Sequence, residues 1–144
     1  MTKIEAMLVR HEGRRNRWYK DTKGLWTNGI GHLATEHDDV SRDWSDEEVD
    51  QNFNTDLADK VRLLDAQCPG FKTLDSCRQD ALTDMCFNMG WHRLSKFEHM
   101  LQALVDGDFE LAASEALNSK WAMEDVSYER SHEISEMIRT GEYQ

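Results

Sequence analysis

Apolar side chains recur every three or four residues along most of the chain, which is the spacing of one face of an α-helix. The pattern predicts six helices, separated by glycine, proline or capping residues. They begin near Ile4, Ser45, Leu74, Phe97, Phe109 and Ser127, and they end at or before Gly13, Pro69, Gly90, Gly107, Leu117 and Gly141.

Helix-capping residues support several of these starts. Ser45 and Glu48 have the spacing of a capping box, and they open a helix of about 20 residues with one apolar face. Ser95 and Glu98 have the same spacing, Asp108 is the predicted cap of the next helix, and either Thr73 or Asp75 caps the helix that begins at Leu74. In the helix that begins at Leu74, apolar residues cover much of the circumference, so this helix is predicted to lie in the core.

A short segment near the N-terminus has a different pattern. Asp21-Thr22-Lys23-Gly24 has turn chemistry, and β-prone residues lie on both sides of it, Trp18-Tyr19 before and Leu25-Trp26-Thr27 after. This predicts one β-hairpin, followed by a polar loop over residues 34–44. The predicted fold class is therefore α+β and mostly α.

The hairpin gathers three polar groups. Glu12 ends the first helix, Asp21 opens the turn, and Thr27 lies on the returning strand. Two carboxyl groups and a hydroxyl on rigid elements can serve as an acid, a base and a group that positions water. Because 28 of the 144 residues are Asp or Glu, the spacing of one such pair alone fits two solvated surface acids equally well.

The longer string around these residues resembles the tailed-phage lysozymes, the muramidases of glycoside hydrolase family 24. Their signature is Glu, eight residues, Asp, five residues, Thr, which Glu12, Asp21 and Thr27 match; Tyr-Lys-Asp-Thr-x-Gly and Gly-Ile-Gly-His-Leu match as well. The resemblance implies a single two-lobe lysozyme domain over residues 1–144. It places a hairpin-bearing small lobe at about 12–45, a connecting helix at about 45–66, a helical lobe at about 67–144 together with 1–11, and the glycan in the cleft between the lobes.

The implied reaction is hydrolysis of the β-1,4 bond between N-acetylmuramic acid and N-acetylglucosamine in bacterial peptidoglycan. Glu12 would be the general acid, Asp21 would stay ionised and orient or deprotonate the attacking water, and Thr27 would hold that water. This arrangement inverts the anomeric centre, which requires the two carboxyl groups to lie roughly 6.5–9.5 Å apart.

The resemblance also implies supporting residues. Leu33, Phe87 and Asn88 match positions that line the substrate cleft, although Phe87 fits a plain core position equally well. His32 is expected to make a structural hydrogen bond. Arg130 is the candidate to orient Glu12, and the alternative is a surface Arg–Glu pair of little energetic weight.

Charge and length limit the possible partners. The net charge of −11 argues against nucleic acid and anionic membranes, since both need a basic face, although a basic cluster surrounds the hairpin (Arg10, Arg14, Arg15, Arg17, Lys20 and Lys23). No apolar run approaches the roughly 18 residues of a membrane span, and the first residues lack the apolar region of a signal peptide. We expect a monomer made in the host cytoplasm that needs a separate pore-forming protein to reach peptidoglycan in the periplasm during host lysis.

The three cysteines, Cys68, Cys77 and Cys86, are predicted to be free thiols, since a reducing compartment disfavours disulfides. The six histidines lack the spacing of a structural zinc site. The nearest arrangement to a metal cluster is His37-Asp38-Asp39, which is typical of a solvated loop. We therefore expect neither a metal nor a cofactor.

Two other functions fit the same sequence. One is a non-catalytic glycan-binding or virion structural derivative of the lysozyme fold. The acidic charge favours it, and so does the segment Glu-Asp-Val-Ser-Tyr-Glu-Arg over residues 124–130, which replaces a Gln-Thr-Pro-Asn-Arg-like stretch of the family. The other is a helical interaction module with a chance resemblance to lysozymes, which the combined presence of Glu12, Asp21 and Thr27 disfavours.

Overall fold

The structure, a computed structural model, describes residues 1–144. Six α-helices and one three-stranded antiparallel sheet confirm the predicted α+β, mostly α class. The helices are α1 (Lys3–Glu12), α2 (Asp46–Gln67), α3 (Ser76–Leu94), α4 (Glu98–Asp106), α5 (Phe109–Leu117) and α6 (Tyr128–Thr140). The strands are β1 (Tyr19–Lys20), β2 (Trp26–Asn28) and β3 (His32–Leu33).

The chain divides into two compact units, Met1–Asp59 and Lys60–Gln144. The first unit contains α1, the sheet and the beginning of α2, and the second contains the rest of α2 and the helices α3 to α6. In the structure α1 belongs to the unit that holds the sheet.

The sheet of the first unit has one strand more than the predicted hairpin. Tyr19 pairs with Thr27 across β1 and β2, and Thr27 pairs with Leu33 across β2 and β3. The third strand has only two residues, which is too short for a pattern of alternating polarity to reveal it. The aromatic side chains of the hairpin do not pair with each other across strands. Trp18 packs edge-on against Trp44, with ring centroids 5.2 Å apart, and Trp26 faces Lys20.

The capping box predicted for α2 is present. The Glu48 backbone N–H donates to Ser45 Oγ, and the Ser45 backbone N–H donates to Glu48 Oε1, each at 3.1 Å. Arg42 donates to both carboxylate oxygens of Glu48, which keeps the pKa of that group low, at about 2. The start of α2 is therefore fixed by local contacts that can be predicted from the sequence.

The second unit is built around α3. Asp75 is its N-cap, because its side chain accepts from the Arg78 backbone N–H, and Leu82, Met85 and Cys86 are fully buried. The regular helix breaks at Gly90, with φ 80° and ψ 160°, as predicted, but one further turn follows to Leu94.

The starts of the later helices are partly as predicted. Asp108 and Ser127 cap α5 and α6. The capping box predicted at Ser95 and Glu98 is wrong, because Ser95 ends the extra turn of α3, its hydroxyl donates to the His92 carbonyl, and Phe97 precedes α4. The sequence pattern also missed a 3₁₀ turn at Phe71–Thr73 and a π-helical turn at Trp121–Asp125.

All three cysteines are free, as predicted, and all three are buried. Burial raises the pKa of the Cys68 and Cys86 thiols to about 11, so both stay protonated and unreactive near neutral pH.

None of the helices combines the length and the hydropathy needed to cross a membrane.

Candidate active site

The three predicted catalytic residues lie together in the first unit. Glu12 is the last residue of α1, Asp21 opens the β1–β2 turn, and Thr27 is the middle residue of β2. Glu12 and Asp21 are partly exposed, whereas Thr27 is only 4% exposed. The first unit thus supplies two partly exposed carboxyl groups and one buried hydroxyl.

The segment between α1 and β1 is tied to its surroundings by hydrogen bonds. The Arg15 backbone N–H donates to the Gly29 carbonyl at 2.9 Å, and the Trp44 backbone N–H donates to the Asn16 carbonyl at 2.7 Å. Arg14 forms an ion pair of 2.7 Å with Asp50 of α2. These contacts fix the C-terminal end of α1, and with it Glu12, relative to the sheet.

The absence of a side chain at Gly31 allows Glu12 to lie close to the sheet. Its backbone has a φ of +65°, and a Cβ atom at this position would lie 3.0 Å from both Cγ and Cδ of Glu12. Any larger residue would have to displace the glutamate and would also be strained. The glutamate side chain thus rests against the backbone of the β2–β3 turn.

Asp21 is held by the turn that it opens. Its Oδ1 accepts the backbone N–H groups of Lys23 and Leu25, each at 2.9 Å, and its carbonyl accepts the N–H of Gly24. Two amide donors on one oxygen hold the carboxyl group in one orientation. The Oδ2 atom is left to accept a hydrogen bond from another partner.

Thr27 lies in a row of side chains on one face of the sheet. The strand register sets Tyr19 of β1, Thr27 of β2 and Leu33 of β3 side by side. The Thr27 hydroxyl donates to the Leu25 carbonyl at 3.1 Å, so its lone pairs remain to accept a hydrogen bond. Leu33 is 46% exposed at the edge of this row.

Tyr19 is a member of this site that sequence reasoning used only as a β-prone residue. Burial raises the pKa of its phenol, the charge of Arg15 opposes that change, and the charges of Glu12 and Asp21 raise the pKa further. The tyrosine therefore lies within the electrostatic reach of both carboxyl groups. Its position two residues before Asp21 and opposite Thr27 in the hairpin was a signal that could have identified it.

Two of the six residues of the basic cluster around the hairpin form ion pairs, and a third lies over an aromatic ring. Arg14 binds Asp50, Arg17 lies 3.6 Å from Asp43, and Lys20 lies over the Trp26 ring. Acidic residues at the start of α2 and in the preceding loop thus offset part of the positive charge that the sequence places here.

His32, the predicted structural histidine, is held between two carboxylates. Its Nδ1 lies 2.7 Å from Asp56 Oδ2 on α2, and its Nε2 lies 2.9 Å from Asp38 Oδ2 in the loop. Burial lowers the pKa of the imidazole, but hydrogen bonds and charges from Asp56 and Asp38 outweigh it, so the net pKa is raised. The imidazole links β3, the loop and α2.

We expect this triad to make stability depend on pH. Because the folded pKa of His32 is raised, its contribution is fully present below the usual pKa of 6.5 and is lost as pH rises through the folded value. The hydrogen bonds to Asp38 lower the pKa of that carboxyl against the effect of burial, so the same contribution fades at acid pH, below 3.8. Unfolding by denaturant at a series of pH values measures this as the difference between wild type and His32→Asn.

His37→Asn is the matched control, because His37 lies in the same loop with 86% of its side chain exposed. Its difference from wild type should stay flat across the same pH range. A flat difference for His32→Asn would contradict the charged triad.

The remaining predicted site residues lie in the second unit. Phe87 is 8% exposed, as a core residue would be, and Asn88 Oδ1 accepts the indole N–H of Trp121 at 3.0 Å. Arg130 is 6% exposed, and its Nε donates to Asp84 Oδ1 at 3.0 Å. Because Arg130 is buried, the alternative of a surface Arg–Glu pair is wrong, whereas its role in orienting Glu12 stays a prediction.

No group of three His, Cys, Asp or Glu side chains among the 144 residues is arranged to hold a metal ion. Asp38 of the His37-Asp38-Asp39 segment binds His32 and Thr35 instead.

The family model described as phage lysozyme matches residues 9–130. The chain is similar to two proteins of Dictyostelium discoideum, probable T4-type lysozyme 1 and probable T4-type lysozyme 2, at 28% and 27% identity, over 98% of this chain and 96% of each relative. It is 31% identical to the pre-baseplate central spike protein Gp5 of Enterobacteria phage T4, over 96% of this chain and 28% of that protein. Since the family model covers most of the chain and all three residues of the Glu-Asp-Thr signature, the protein belongs to the phage lysozyme family, a family of peptidoglycan hydrolases.

Proposed function

We propose that this protein hydrolyses the β-1,4 bond between N-acetylmuramic acid and N-acetylglucosamine by an acid- and base-assisted, inverting mechanism. One observation carries the proposal. The Glu12 carboxyl group rests against Gly31 of the β2–β3 turn, the β1–β2 turn holds the Asp21 carboxyl group, and the buried Thr27 hydroxyl lies on β2 between these turns.

The reaction assigns each group one task. Glu12 gives its proton to the leaving glycosidic oxygen as the bond from that oxygen to the anomeric carbon breaks. Asp21, held in place by two backbone N–H groups, takes a proton from the water that attacks the anomeric carbon. Thr27 accepts a hydrogen bond from that water, because its own proton is committed to the Leu25 carbonyl.

The face of the sheet also suggests how a sugar is recognised. Leu33 lies next to Thr27 in register and is half exposed, so it offers an apolar contact to a sugar ring beside the reacting bond. Phe87 and Asn88 remain proposed substrate contacts of the second unit. The hydrogen bond from Trp121 orients the Asn88 amide, leaving its NH₂ group to donate to a sugar oxygen.

The biological setting that we propose is lysis of a bacterial host at the end of phage infection. The enzyme would be made in the host cytoplasm as a monomer and would reach peptidoglycan in the periplasm through a pore formed by another protein. No cofactor, nucleic acid or membrane insertion is part of this proposal.

A second candidate is a virion component with the same fold, either catalytic or limited to glycan binding. The 31% identity to a protein named as a pre-baseplate central spike protein favours it. The two candidates differ in where the protein is found. A lysis enzyme stays in the soluble fraction of infected cells, whereas a virion component co-purifies with intact particles.

Product analysis tests the proposed reaction. With purified peptidoglycan, NMR of the first turnovers should show a reducing N-acetylmuramic acid end in the α configuration, because water attacks the face opposite the leaving group. A β product would make Asp21 a nucleophile rather than a base. A 1,6-anhydro sugar would exclude activated water, and no cleavage would leave the glycan-binding candidate.

A further inference from the structure

Asn28, the last residue of β2, is a fully buried polar residue with no role in the mechanism above. Its Oδ1 accepts the backbone N–H of Gly29 at 2.7 Å, whereas its Nδ2 has no hydrogen-bond partner. The Gly29 N–H determines which way the amide points, because a flipped side chain would set two donors against each other. A buried donor without a partner lowers stability, and an apolar side chain of similar size would avoid that cost. Packing alone therefore does not account for an asparagine at this position.

We propose that Asn28 is a positioning residue of the hydrolytic site, which holds the β2–β3 turn (residues 29–31) in the shape against which the Glu12 carboxyl group rests. This inference rests on the proposed function, because it gives the turn a part in placing the general acid. Successive residues of a strand face opposite sides of the sheet. Asn28 therefore lies on the face of its register partner His32 and points away from the face of Thr27, where the sugar is proposed to bind.

The β2–β3 turn has little conformational preference of its own. Two of its three residues, Gly29 and Gly31, are glycines with φ of +59° and +65°, and glycine adopts such values as readily as negative ones. Contacts must therefore set its shape. The Gly29 N–H donates to Asn28 Oδ1, and the Gly29 carbonyl accepts the Arg15 N–H at 2.9 Å. The Trp44 ring also packs against this residue, since a Cβ atom at Gly29 would lie 3.1 Å from it.

The turn contacts the segment of the proposed acid at two points. Gly29 binds the backbone of Arg15, three residues after Glu12. Gly31 lies so close to Glu12 that a Cβ atom there would be 3.0 Å from Cγ and Cδ and 3.1 Å from Oε2. A rotation of the peptide between residues 28 and 29 would disturb both contacts. Because a general acid must lie within hydrogen-bond reach of the leaving oxygen, the shape of this turn affects the rate of proton transfer.

Asn28→Leu tests this inference because it keeps the approximate size of the side chain and removes the acceptor. The variant loses the unpaired Nδ2 donor but leaves the buried Gly29 N–H without a partner, so its thermal midpoint should stay near that of the wild type. The turn should then rearrange to pair this N–H. A small misplacement of the acid should lower kcat by about 10- to 100-fold and leave KM within about twofold.

Asn28→Asp is the conservative variant, because a carboxyl oxygen can accept the same N–H whether the group is ionised or protonated. It should keep kcat within about threefold of the wild-type value, whatever its stability. Hydrogen exchange of the Gly29 amide gives a readout that does not depend on activity. Exchange should be slow in the wild type and in Asn28→Asp and faster in Asn28→Leu.

Thr83→Val is the matched control, because Thr83 is also a buried polar residue with a local partner, the Gln79 carbonyl at 2.8 Å, and it lies in the second unit. It should keep the wild-type kcat. A wild-type kcat in Asn28→Leu, or an equal loss of kcat in Asn28→Asp, would overturn the positioning role while leaving the proposed hydrolysis intact. If the wild-type protein releases no muropeptides, the proposed function is wrong and the positioning role is wrong with it, even where hydrogen exchange shows that Asn28 holds the turn.

Discussion

Replacing Glu12 with Gln should lower the rate of peptidoglycan hydrolysis by about 10²- to 10⁴-fold, which is the usual contribution of a general acid. Glutamine has nearly the same shape and can still rest against Gly31, but its amide is far too weak an acid to protonate the leaving oxygen. The loss should appear in kcat, since the amide keeps the contacts that bind the ground state. Release of soluble muropeptides from purified peptidoglycan measures it directly.

Glu5→Gln is the matched control on the same helix. Glu5 is the capping-box partner of Thr2, whose backbone N–H it accepts at 2.9 Å, and a glutamine amide oxygen can replace it in that bond. The control should keep both activity and stability. Equal activity of wild type, Glu5→Gln and Glu12→Gln would remove Glu12 as the acid, whereas equal loss in both variants would indicate damage to α1.

The elements that sequence reasoning located correctly are those fixed by contacts a few residues apart. Ser45 and Glu48 bond to each other across three residues, and Asp108 and Ser127 each accept a backbone N–H three residues on. The turn at Asp21 likewise closes on Gly24. Such bonds depend on short-range spacing, so the sequence alone reveals them.

The elements that it missed depend on distant partners. The spacing of Ser95 and Glu98 fits a cap, but the chain continues helically past the break at Gly90 and uses Ser95 to end that turn instead. Strand β3 exists because Leu33 and His32 pair with β2, and its own two residues carry no periodicity. Local spacing rules cannot tell whether a residue such as Ser95 begins one helix or ends the previous one when the previous helix extends to that residue.

The candidate site shows the same division. Glu12, Asp21 and Thr27 lie within one continuous motif, so the hairpin prediction groups them and the family resemblance supplies their proposed roles. The partners of His32 are 6 and 24 positions away in sequence, and the carboxylate that binds Arg130 is 46 positions away. With 28 acidic residues to choose from, no spacing rule selects Asp56 or Asp84.

The buried pair of Arg130 and Asp84 should be the largest electrostatic contributor to stability that a single substitution can reveal. Arg130 Nε and Nη2 both lie 3.0 Å from Asp84 Oδ1, and the Asp84 side chain is fully buried. Arg130→Met leaves the carboxylate buried without its charge partner. We expect the free energy of unfolding to fall by about 3–5 kcal/mol, the usual cost of breaking a buried pair from one side. Denaturant unfolding at neutral pH measures this loss.

Arg139→Met is the control on the same helix, because Arg139 pairs with Glu136 at the surface with about two-fifths of each side chain exposed. An exposed pair of this kind contributes less than about 1 kcal/mol. The double variant Asp84→Leu, Arg130→Met removes both charges, so it should be more stable than Arg130→Met alone. Equal losses of unfolding free energy for Arg130→Met and Arg139→Met would contradict this prediction. They would mean that water or another group compensates the Asp84 carboxylate when the arginine is gone.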